Sequence, residues 1–281
     1  MLRLGYFGEI IQKDNLQKSL SSFFKFIPEF EEGCSIESYI QSCDVLFFSD
    51  CEKYFDQLIR SVKNIKGIFI YNLHVLSYDK TALLNSILEE ADVKLNYFSP
   101  TRFHPLSEYS SLKTPQNQRH LSLIRTIHPE NDDINEIVFN EIDHVLKLIG
   151  RKIRRKHSNS IINKHGELTT LNIRLEFDTQ CTATFLFTRV YAYSSHKIDV
   201  YSPSGLHQLN YQNNIFSFTD SFNQKIECHT LSNAITPTET LCYQLIDFYK
   251  SISNEKQNHT IMNDVLEMKE LNETFFNQPL Y

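Results

Sequence analysis

The first hundred residues alternate short apolar runs with stretches in which apolar residues recur at helical spacing. The apolar runs LRLGYF, FKFIP, DVLFFS, GIFIY and VKLNYF have the length and composition of β-strands. The stretches between them that predict helices are Gln12 to Phe24, a short helix closed by Ser38 to Gln41, Glu52 to Lys63 and Lys80 to Ala91. Strands separated by helices indicate right-handed βαβ crossovers and a mostly parallel sheet.

The pattern changes after Pro105. HLSLIRTI is strand-like, Ile134 to Ile149 is one long helix, and alternation with period two follows. In LTTLNIRLEF the residues Leu171, Ile173, Leu175 and Phe177 share one face, opposite Asn172, Arg174 and Glu176. CTATFLFTRVYAY, HKIDVYS and LHQLNY continue the sheet, and helices at Thr238 to Ser251 and Met262 to Phe276 close the chain.

This order of elements predicts two domains of different class. Residues 1–100 form a shortened, Rossmann-like α/β domain with a parallel sheet. Residues 101–281 form an α+β domain with an open, mostly antiparallel sheet and helices on one face.

Charge and cysteine content exclude several classes of function. Lys and Arg number 28 against 34 Asp and Glu, and a net charge of -6 argues against a broad nucleic-acid surface. No apolar run approaches membrane-spanning length and the N-terminus has no signal-like segment, so we expect a cytoplasmic protein that does not bind membranes. The cysteines at positions 34, 43, 51, 181, 228 and 242 lack zinc-site spacing, so we expect reduced thiols and no metal site.

Three stretches resemble the Gfo/Idh/MocA family of sugar and polyol dehydrogenases. CDVLFFSD with GIFIYNLHVLS resembles the strands that lead to the family's Glu-Lys-Pro signature, and TRFHP its crossover out of the nucleotide domain. EIVFNEIDHVLKLIG, followed by GELTTLNIRLEF and HKIDVYSPSGLHQL, resembles its active-site helix and large sheet. The resemblance implies a domain that binds NAD or NADP, a sheet domain that often mediates oligomers, and a site in the cleft between them.

The family's working residues are altered at the matching positions. Its catalytic lysine corresponds to Asn72, and the aspartate, histidine and aspartate of its helix correspond to Glu136, Asn140 and Asp143. These are the candidate catalytic positions. Asparagine cannot titrate, so the usual proton carriers for hydride transfer are absent. His144 is turned about 100° from Asp143 around the helix and is not expected to substitute.

The predicted cofactor turn is altered as well. Gly8 is retained, but Ile10 and Lys13 replace glycines that give room to a pyrophosphate and to the first helix. Glu29 lies at the spacing expected of a ribose-binding acid. We therefore predict no NAD(P) binding tighter than about 1 mM, with Gly8 and Glu29 as the only candidate cofactor-binding residues.

Other polar features have two interpretations each. The stripe Glu136, Asn140, Asp143 and Lys147 is either a remnant cleft face or a solvated helix face. Arg102 either anchors the crossover between domains or binds an anion of the substrate. The basic run RKIRRK, residues 151–156, is either a solvated loop or a grip for a phosphorylated ligand, and we favour the loop.

Three hypotheses for function follow. The first is a divergent pseudoenzyme that binds a small-molecule ligand or a partner, and the second is a working NAD(P)-dependent oxidoreductase acting on a sugar or polyol. The third is a structural oligomerisation module. Because the second face of the sheet carries large groups such as Leu186 and Tyr191 or Tyr193 among its polar residues, we predict a homo-oligomer formed through residues 168–215.

Overall fold

A computed structural model describes residues 1–9, 12–28, 30, 35–107, 119–128, 133–149, 152–165, 167–178, 180–189, 195–222, 226–231, 236–253 and 265–271. The chain forms two compact units. The first comprises Met1–Phe103 together with Thr236–Tyr281, and the second comprises His104–Ile235. No helix in the described ranges has both the length and the apolar character that a membrane crossing requires.

The first unit contains a parallel sheet with helices between its strands, as predicted. Its strands are β1 Leu2–Phe7, β2 Phe24–Phe26, β3 Val45–Phe48, β4 Gly67–Ile70 and β5 Lys94–Tyr97. Its first helices are α1 Lys13–Leu20, α2 Ile36–Gln41, α3 Phe55–Ser61 and α4 Tyr78–Ala91. The strand order is β2-β1-β3-β4-β5. Strand β2 lies on one side of β1, and the later strands are added on the other side, starting with β3. In the described part of the connection from β2 to β3, the helix is α2.

Serine side chains fix where two of these helices begin. Ser35 Oγ accepts a hydrogen bond from the backbone N of Ser38 at 3.3 Å, and Ser77 Oγ accepts one from Lys80 N at 3.3 Å. Each bond satisfies one backbone donor that the first helical turn leaves without an intrahelical partner. At the other end of α4, Asp92 adopts the left-handed conformation with φ of 52°, which ends the helix.

The second unit contains an eight-stranded mixed sheet and one long helix, α5 Ile134–Ile149. Its strands are β6 His120–Ile127, β7 Ile153–Ile162, β8 Leu168–Phe177, β9 Thr182–Arg189, β10 His196–Ser202, β11 Gly205–Asn210, β12 Ile215–Asp220 and β13 Ile226–Thr230. The order is β13-β12-β11-β10-β6-β9-β8-β7. Among the pairings that the described residues make, β6 with β9 is parallel and the others are antiparallel.

The alternation of β8 is confirmed residue by residue. Leu171, Ile173, Leu175 and Phe177 are buried, whereas Asn172 and Arg174 are exposed. On β9 the buried residues Ala183, Phe185 and Phe187 extend the same apolar face. We call this buried side the inner face of the sheet and the opposite side the outer face.

Strand β7 corrects the prediction of a loop at RKIRRK. Residues 153–156 of this basic run form the start of β7, which pairs with β8 at the edge of the sheet. The register shifts between Ile153 and Arg155, which breaks the period-two alternation and hid the strand from the sequence pattern. Basic side chains and a bulge are also typical of an edge strand that resists pairing with other chains.

The last described helices belong to the first unit. In α6 Pro237–Ser253, Leu241, Leu245 and Phe248 join the core formed by β1, β3 and β4. A side chain at Gly67 of β4 would lie 2.7 Å from atoms of Phe248 and Ile252, so this glycine permits the close approach. The prediction of one domain over residues 101–281 differs from this division, because the period of a helix does not tell which sheet it covers.

Candidate functional site

The first place to look for a ligand is the carboxyl end of β1 and β3. Strands β2 and β3 flank β1 on opposite sides, and doubly wound sheets bind ligands at the carboxyl ends of strands where the order reverses. Gly8 follows β1 directly and has a φ of 85°. A Cβ at Gly8 would lie 2.2 Å from Ser49 Oγ and 3.2 Å from a ring carbon of Tyr54. The positive φ and the close packing at Gly8 are therefore those of a tight-turn glycine, the role that the first glycine has in a dinucleotide turn.

Aromatic rings fill the sheet next to Gly8. The rings of Phe7 and Phe48 stack with centroids 5.0 Å apart and an interplanar angle of 6°, and both side chains are fully buried. Phe30, Tyr39 and Tyr54 surround Phe7 at centroid distances between 5.1 and 5.6 Å. This edge is held together by apolar packing.

Lys13 lies where the resemblance expects the third glycine of the cofactor turn. It is the first residue of α1, and its Nζ donates to the Tyr6 hydroxyl and lies 4.7 Å from the ring centroid. Ile10 and Glu29 lie outside the described residues. Of the three glycine positions of such a turn, the described residues keep the first, Gly8, and have a lysine at the third, so they match a dinucleotide site only in part.

Asn72, the residue at the lysine position, joins two loops. Its Oδ1 accepts a hydrogen bond from the backbone N of Cys51 at 3.0 Å, and its carbonyl oxygen lies 3.4 Å from Cys51 Sγ. Burial raises the pKa of the Cys51 thiol to about 12, so it remains protonated and can donate. The amide therefore connects the segments that follow β3 and β4.

A buried lysine lies close to this position in the fold. Lys269 is 2% exposed, and its Nζ donates to the carbonyl oxygens of His74 and Leu76, in the turn that follows Asn72. These bonds hold the helical residues 265–271 on the first unit. Two backbone carbonyls thus bind the amino group of Lys269. The sequence pattern did not predict this contact, because Lys269 lies almost 200 residues further along the chain.

Arg102 lies within the first unit as described. Its side chain is half-buried, its Nη1 is 3.5 Å from the Tyr97 hydroxyl, and its guanidinium lies 5.8 Å from the Phe103 ring centroid. These contacts position the end of the unit.

The polar stripe of α5 is not uniformly solvated. Asn140 is 7% exposed and Asp143 is 1% exposed, whereas Glu136 is half-buried and Lys147 is exposed. A solvated face therefore describes only the Lys147 end of the stripe. Asn140 and Asp143 have been removed from water at the positions where the resemblance expects the histidine and the second aspartate.

A charged cluster that the sequence prediction missed lies on the inner face of the second sheet. Arg125 of β6 pairs in register with His196 of β10, and the backbone N of Tyr211 donates to the His196 carbonyl at 2.9 Å. Glu141 of α5 lies over this row. Its Oε1 is 2.5 Å from Arg125 Nη1 and 3.0 Å from His196 Nε2, and its side chain is fully buried.

The two basic side chains keep Glu141 ionised. Burial by itself raises the pKa of a carboxyl group, but the charges of His196 and Arg125 outweigh it here. The resulting pKa of Glu141 is about 2. A carboxylate removed from water thus remains charged because both its neighbours are basic.

Tyr211 extends the cluster toward two more histidines. Its ring stacks on His196 with centroids 4.5 Å apart, and its hydroxyl lies 2.8 Å from His144 Nε2 and 3.2 Å from Ser107 Oγ. Burial lowers the pKa of His144 to about 3. Burial and the nearby charge of His196 lower the pKa of His104, whose ring is 5.0 Å from that of Tyr211, to about 4. His144 is therefore a neutral partner of a buried tyrosine.

A metal ion does not account for this cluster. Within the described ranges, no group of three or more His, Cys, Asp and Glu side chains is arranged to hold one. The described cysteines form no disulfide. The chemistry available here is that of charged hydrogen bonds.

Comparison with known proteins gives the fold. No family model matches the sequence, and no curated protein matches it. Among solved structures, the dehydrogenase MviM from Clostridium difficile shares 12% identity with a TM-score of 0.81, over 98% of this chain and 99% of that one. UDP-N-acetylglucosamine 3-dehydrogenase GnnA from Acidithiobacillus ferrooxidans gives 12% and 0.81, over 98% and 96%. The chain has the Gfo/Idh/MocA dehydrogenase fold.

The same fold occurs in a protein that is named for repression and not as a dehydrogenase. A super-repressor mutant of Gal80p from Saccharomyces cerevisiae shares 12% identity with this chain, with a TM-score of 0.78 over 98% and 95% of the two chains. The Gfo/Idh/MocA fold therefore does not decide the activity, because it is shared by proteins named as dehydrogenases and by one named as a repressor.

Two signals in the sequence could have revealed the charged cluster of this Gfo/Idh/MocA-type fold. Glu141 lies on the apolar stripe of α5 that includes Ile137, Val138, Ile142 and Val145. Arg125 lies on the buried side of β6, which alternates Leu121, Leu123, Arg125 and Ile127. A charge on each of two apolar faces predicts that the two charges meet.

Proposed function

We propose that this chain is a binding protein built on a dehydrogenase fold, and that NAD(P)-dependent hydride transfer has been lost. The observation that supports this most is Lys13, which begins α1 at the position of the third glycine of a dinucleotide turn and whose Nζ contacts the Tyr6 hydroxyl and ring. In a dinucleotide site a glycine at that position lets the helix pack closely on the strand. The asparagines at positions 72 and 140 support the same proposal, because neither can carry a proton.

The likeness to Gal80p supports a regulatory form of this proposal. Gal80p is named as a repressor, and its structure resembles this chain over nearly its whole length. A fold that serves regulation in one protein can bind a ligand or partner in another without turning it over. Asn140 and Glu136 are the residues of α5 that we propose for such a ligand, and a cytoplasmic location is part of the proposal.

Cofactor titration tests the loss of the dinucleotide site. NADH and NADPH are added to the purified protein, and the fluorescence of the reduced nicotinamide is followed, with a Gfo/Idh/MocA dehydrogenase as the positive control. We expect no binding tighter than about 1 mM, which corresponds to roughly -4 kcal/mol. A micromolar constant for either cofactor contradicts the proposal and would identify Glu29, by its spacing, as the candidate ribose ligand.

Activity across a panel of sugars and polyols is the second test. General acid-base help contributes roughly 10² to 10⁴-fold to a rate, so we expect no cofactor-dependent oxidation above background. Robust turnover would support the alternative of a working oxidoreductase. In that case Glu136→Ala and Asp143→Ala identify which carboxylate transfers the proton.

We also propose a homo-oligomer formed through residues 168–215 of the second unit. The outer face carries Ile124 and Tyr201, which are 38% and 45% exposed, and register places Leu186 beside Ile124. Tyr191 and Tyr193 lie outside the described residues. Light scattering tests the proposal: an interface of about 1,000 Å² should give a dimer or larger species, and a monodisperse 33.0 kDa monomer contradicts it.

A further inference from the structure

In the contacts that the described residues make with Arg125, one nitrogen atom of its guanidinium takes part. Its contacts with Glu141 and with His196 all run through Nη1. The side chain is 26% exposed. A guanidinium has five N–H donors in one plane, and the Nε and Nη2 donors form a separate edge that matches two oxygens of a carboxylate or phosphate. In the described part of the chain that edge has no protein acceptor.

Arg125 is held in place by its neighbours. Glu141, which is fully buried, fixes Nη1 at 2.5 Å. The register of the sheet places His196 on one side of Arg125 and the buried Phe187 on the other. An arginine immobilised in this way loses little further side-chain entropy when it binds a ligand, so its donors are preorganised.

The pairing with Glu141 differs from that of a purely structural ion pair. Arginine and carboxylate often pair through two parallel hydrogen bonds, which would occupy two guanidinium nitrogens. Here one carboxylate oxygen is shared between Arg125 and His196. Because the carboxylate contacts Nη1 alone, it does not occupy the Nε and Nη2 edge of Arg125.

We propose that the Nε and Nη2 edge of Arg125 binds the oxyanion group of a small ligand, either a carboxylate or a phosphate. Glu141 positions the arginine, and His196 adds basic character beside it. The site lies within the second unit, and it stands whether or not the first unit binds a dinucleotide. Its ligand is recognised by two oxygens in one plane.

Nitrogen-15 NMR of the arginine side chains tests the site on the full chain. Sodium phosphate and sodium acetate are titrated separately, with sodium chloride at matched ionic strength, while the Nε–Hε resonances are followed. We expect the Arg125 resonance to shift saturably with one of the two oxyanions and not with chloride. The anion that produces the saturable shift identifies the ligand group as phosphate or carboxylate.

Two lysine variants separate the site from general charge. Arg125→Lys keeps a cation beside Glu141 but lacks the planar edge, so it should weaken binding at least about tenfold. Arg174→Lys is the matched control, because Arg174 is an exposed arginine on the outer face paired with Glu176, and it should leave binding unchanged. If Arg125→Lys does not fold, the Arg125 resonance of the unaltered protein decides. The absence of a saturable shift with either oxyanion, an equal shift with chloride, or equal weakening in both variants overturns the proposal.

Discussion

The two sheets distribute polarity in opposite ways. The carboxyl edge of the first sheet, where a ligand is expected in this fold, is packed with the rings of Phe7 and Phe48. The inner face of the second sheet, where an apolar core is expected, contains the ion pairs of Glu141. Polar chemistry is thus concentrated at a place that fold-level analogy does not indicate.

This contrast separates two kinds of evidence about function. The backbone of the first unit follows the solved dehydrogenases, while Lys13 lies at the position where a dinucleotide turn has its third glycine. In the second unit a fully buried carboxylate is retained although its desolvation is costly, and that cost requires specific partners. The following predictions test each side of the comparison, beginning with the largest expected effect.

Removal of the Glu141 charge should have the largest effect. Glu141→Gln keeps the side-chain volume but leaves Arg125 and His196 without their shared carboxylate. Breaking a buried ion pair on one side costs about 3–5 kcal/mol. Urea unfolding monitored by circular dichroism measures the change. A loss below about 1 kcal/mol would mean that the cluster contributes little to the second unit.

Gly8→Ala should destabilise the first unit whether or not a cofactor is added. The left-handed φ of 85° is strained for alanine, and its Cβ would lie 2.2 Å from Ser49 Oγ. We expect a loss of about 1–3 kcal/mol in thermal unfolding. The double variant Gly8→Ala with Ser49→Ala removes the clash and should recover part of that loss. An unchanged midpoint for the single variant would show that the edge is loosely packed.

Acid should weaken the second unit through His144. Its pKa is about 3 in the folded protein, against an ordinary value of 6.5, so protons bind preferentially to the unfolded chain. The contribution of neutral His144 to the free energy of unfolding is therefore fully present above about pH 6.5. Below that pH the free energy of unfolding falls by up to about 1.4 kcal/mol per pH unit. Urea midpoints at several pH values test this. His144→Gln should give a shallower decline, and an identical pH profile in the two proteins would contradict the assignment.

The smallest effect is expected on the outer face. Glu176 contacts Arg174 at 3.2 Å and Arg155 at 3.9 Å, and both arginine side chains are more than half exposed. Because water screens such pairs, Glu176→Gln should cost about 0–1 kcal/mol. It is the matched control for Glu141→Gln in the same urea assay. A cost equal to that of Glu141→Gln would remove the distinction between the two faces.

The sequence pattern predicted most of the elements because burial is periodic. Strand β8 and helix α5 were placed at their observed bounds, since long apolar alternation and a clear 3.6-residue stripe admit one interpretation. Strand β7 was missed because its bulge interrupts the alternation. Strand β12 was missed because most of its residues are half-buried, and β13 because most of its residues are exposed. Periodicity reports burial, and these strands are only partly buried.

The site was harder to predict because it depends on contacts between distant segments. Asn72 was identified by position, but its bond to Cys51 depends on how two loops meet. Arg125, Glu141 and His196 come from separate elements and were not grouped, although two of them carry charge on apolar faces. The residue types at positions 72 and 140 were enough to show that the usual proton carriers are absent. The contacts among the charged cluster became visible only in the folded structure.

The position of α6 has a consequence for synthesis of the chain. The first unit is discontinuous in sequence, because residues 236–253 complete the core begun by residues 1–103. Residues 104–235 emerge from the ribosome as one uninterrupted stretch and can fold before that core is closed. Until α6 arrives, the surface around Gly67 and Phe69 lacks the side chain of Phe248 and remains open to water. That apolar surface is therefore exposed throughout synthesis of residues 104–235, the interval in which a chaperone can bind it.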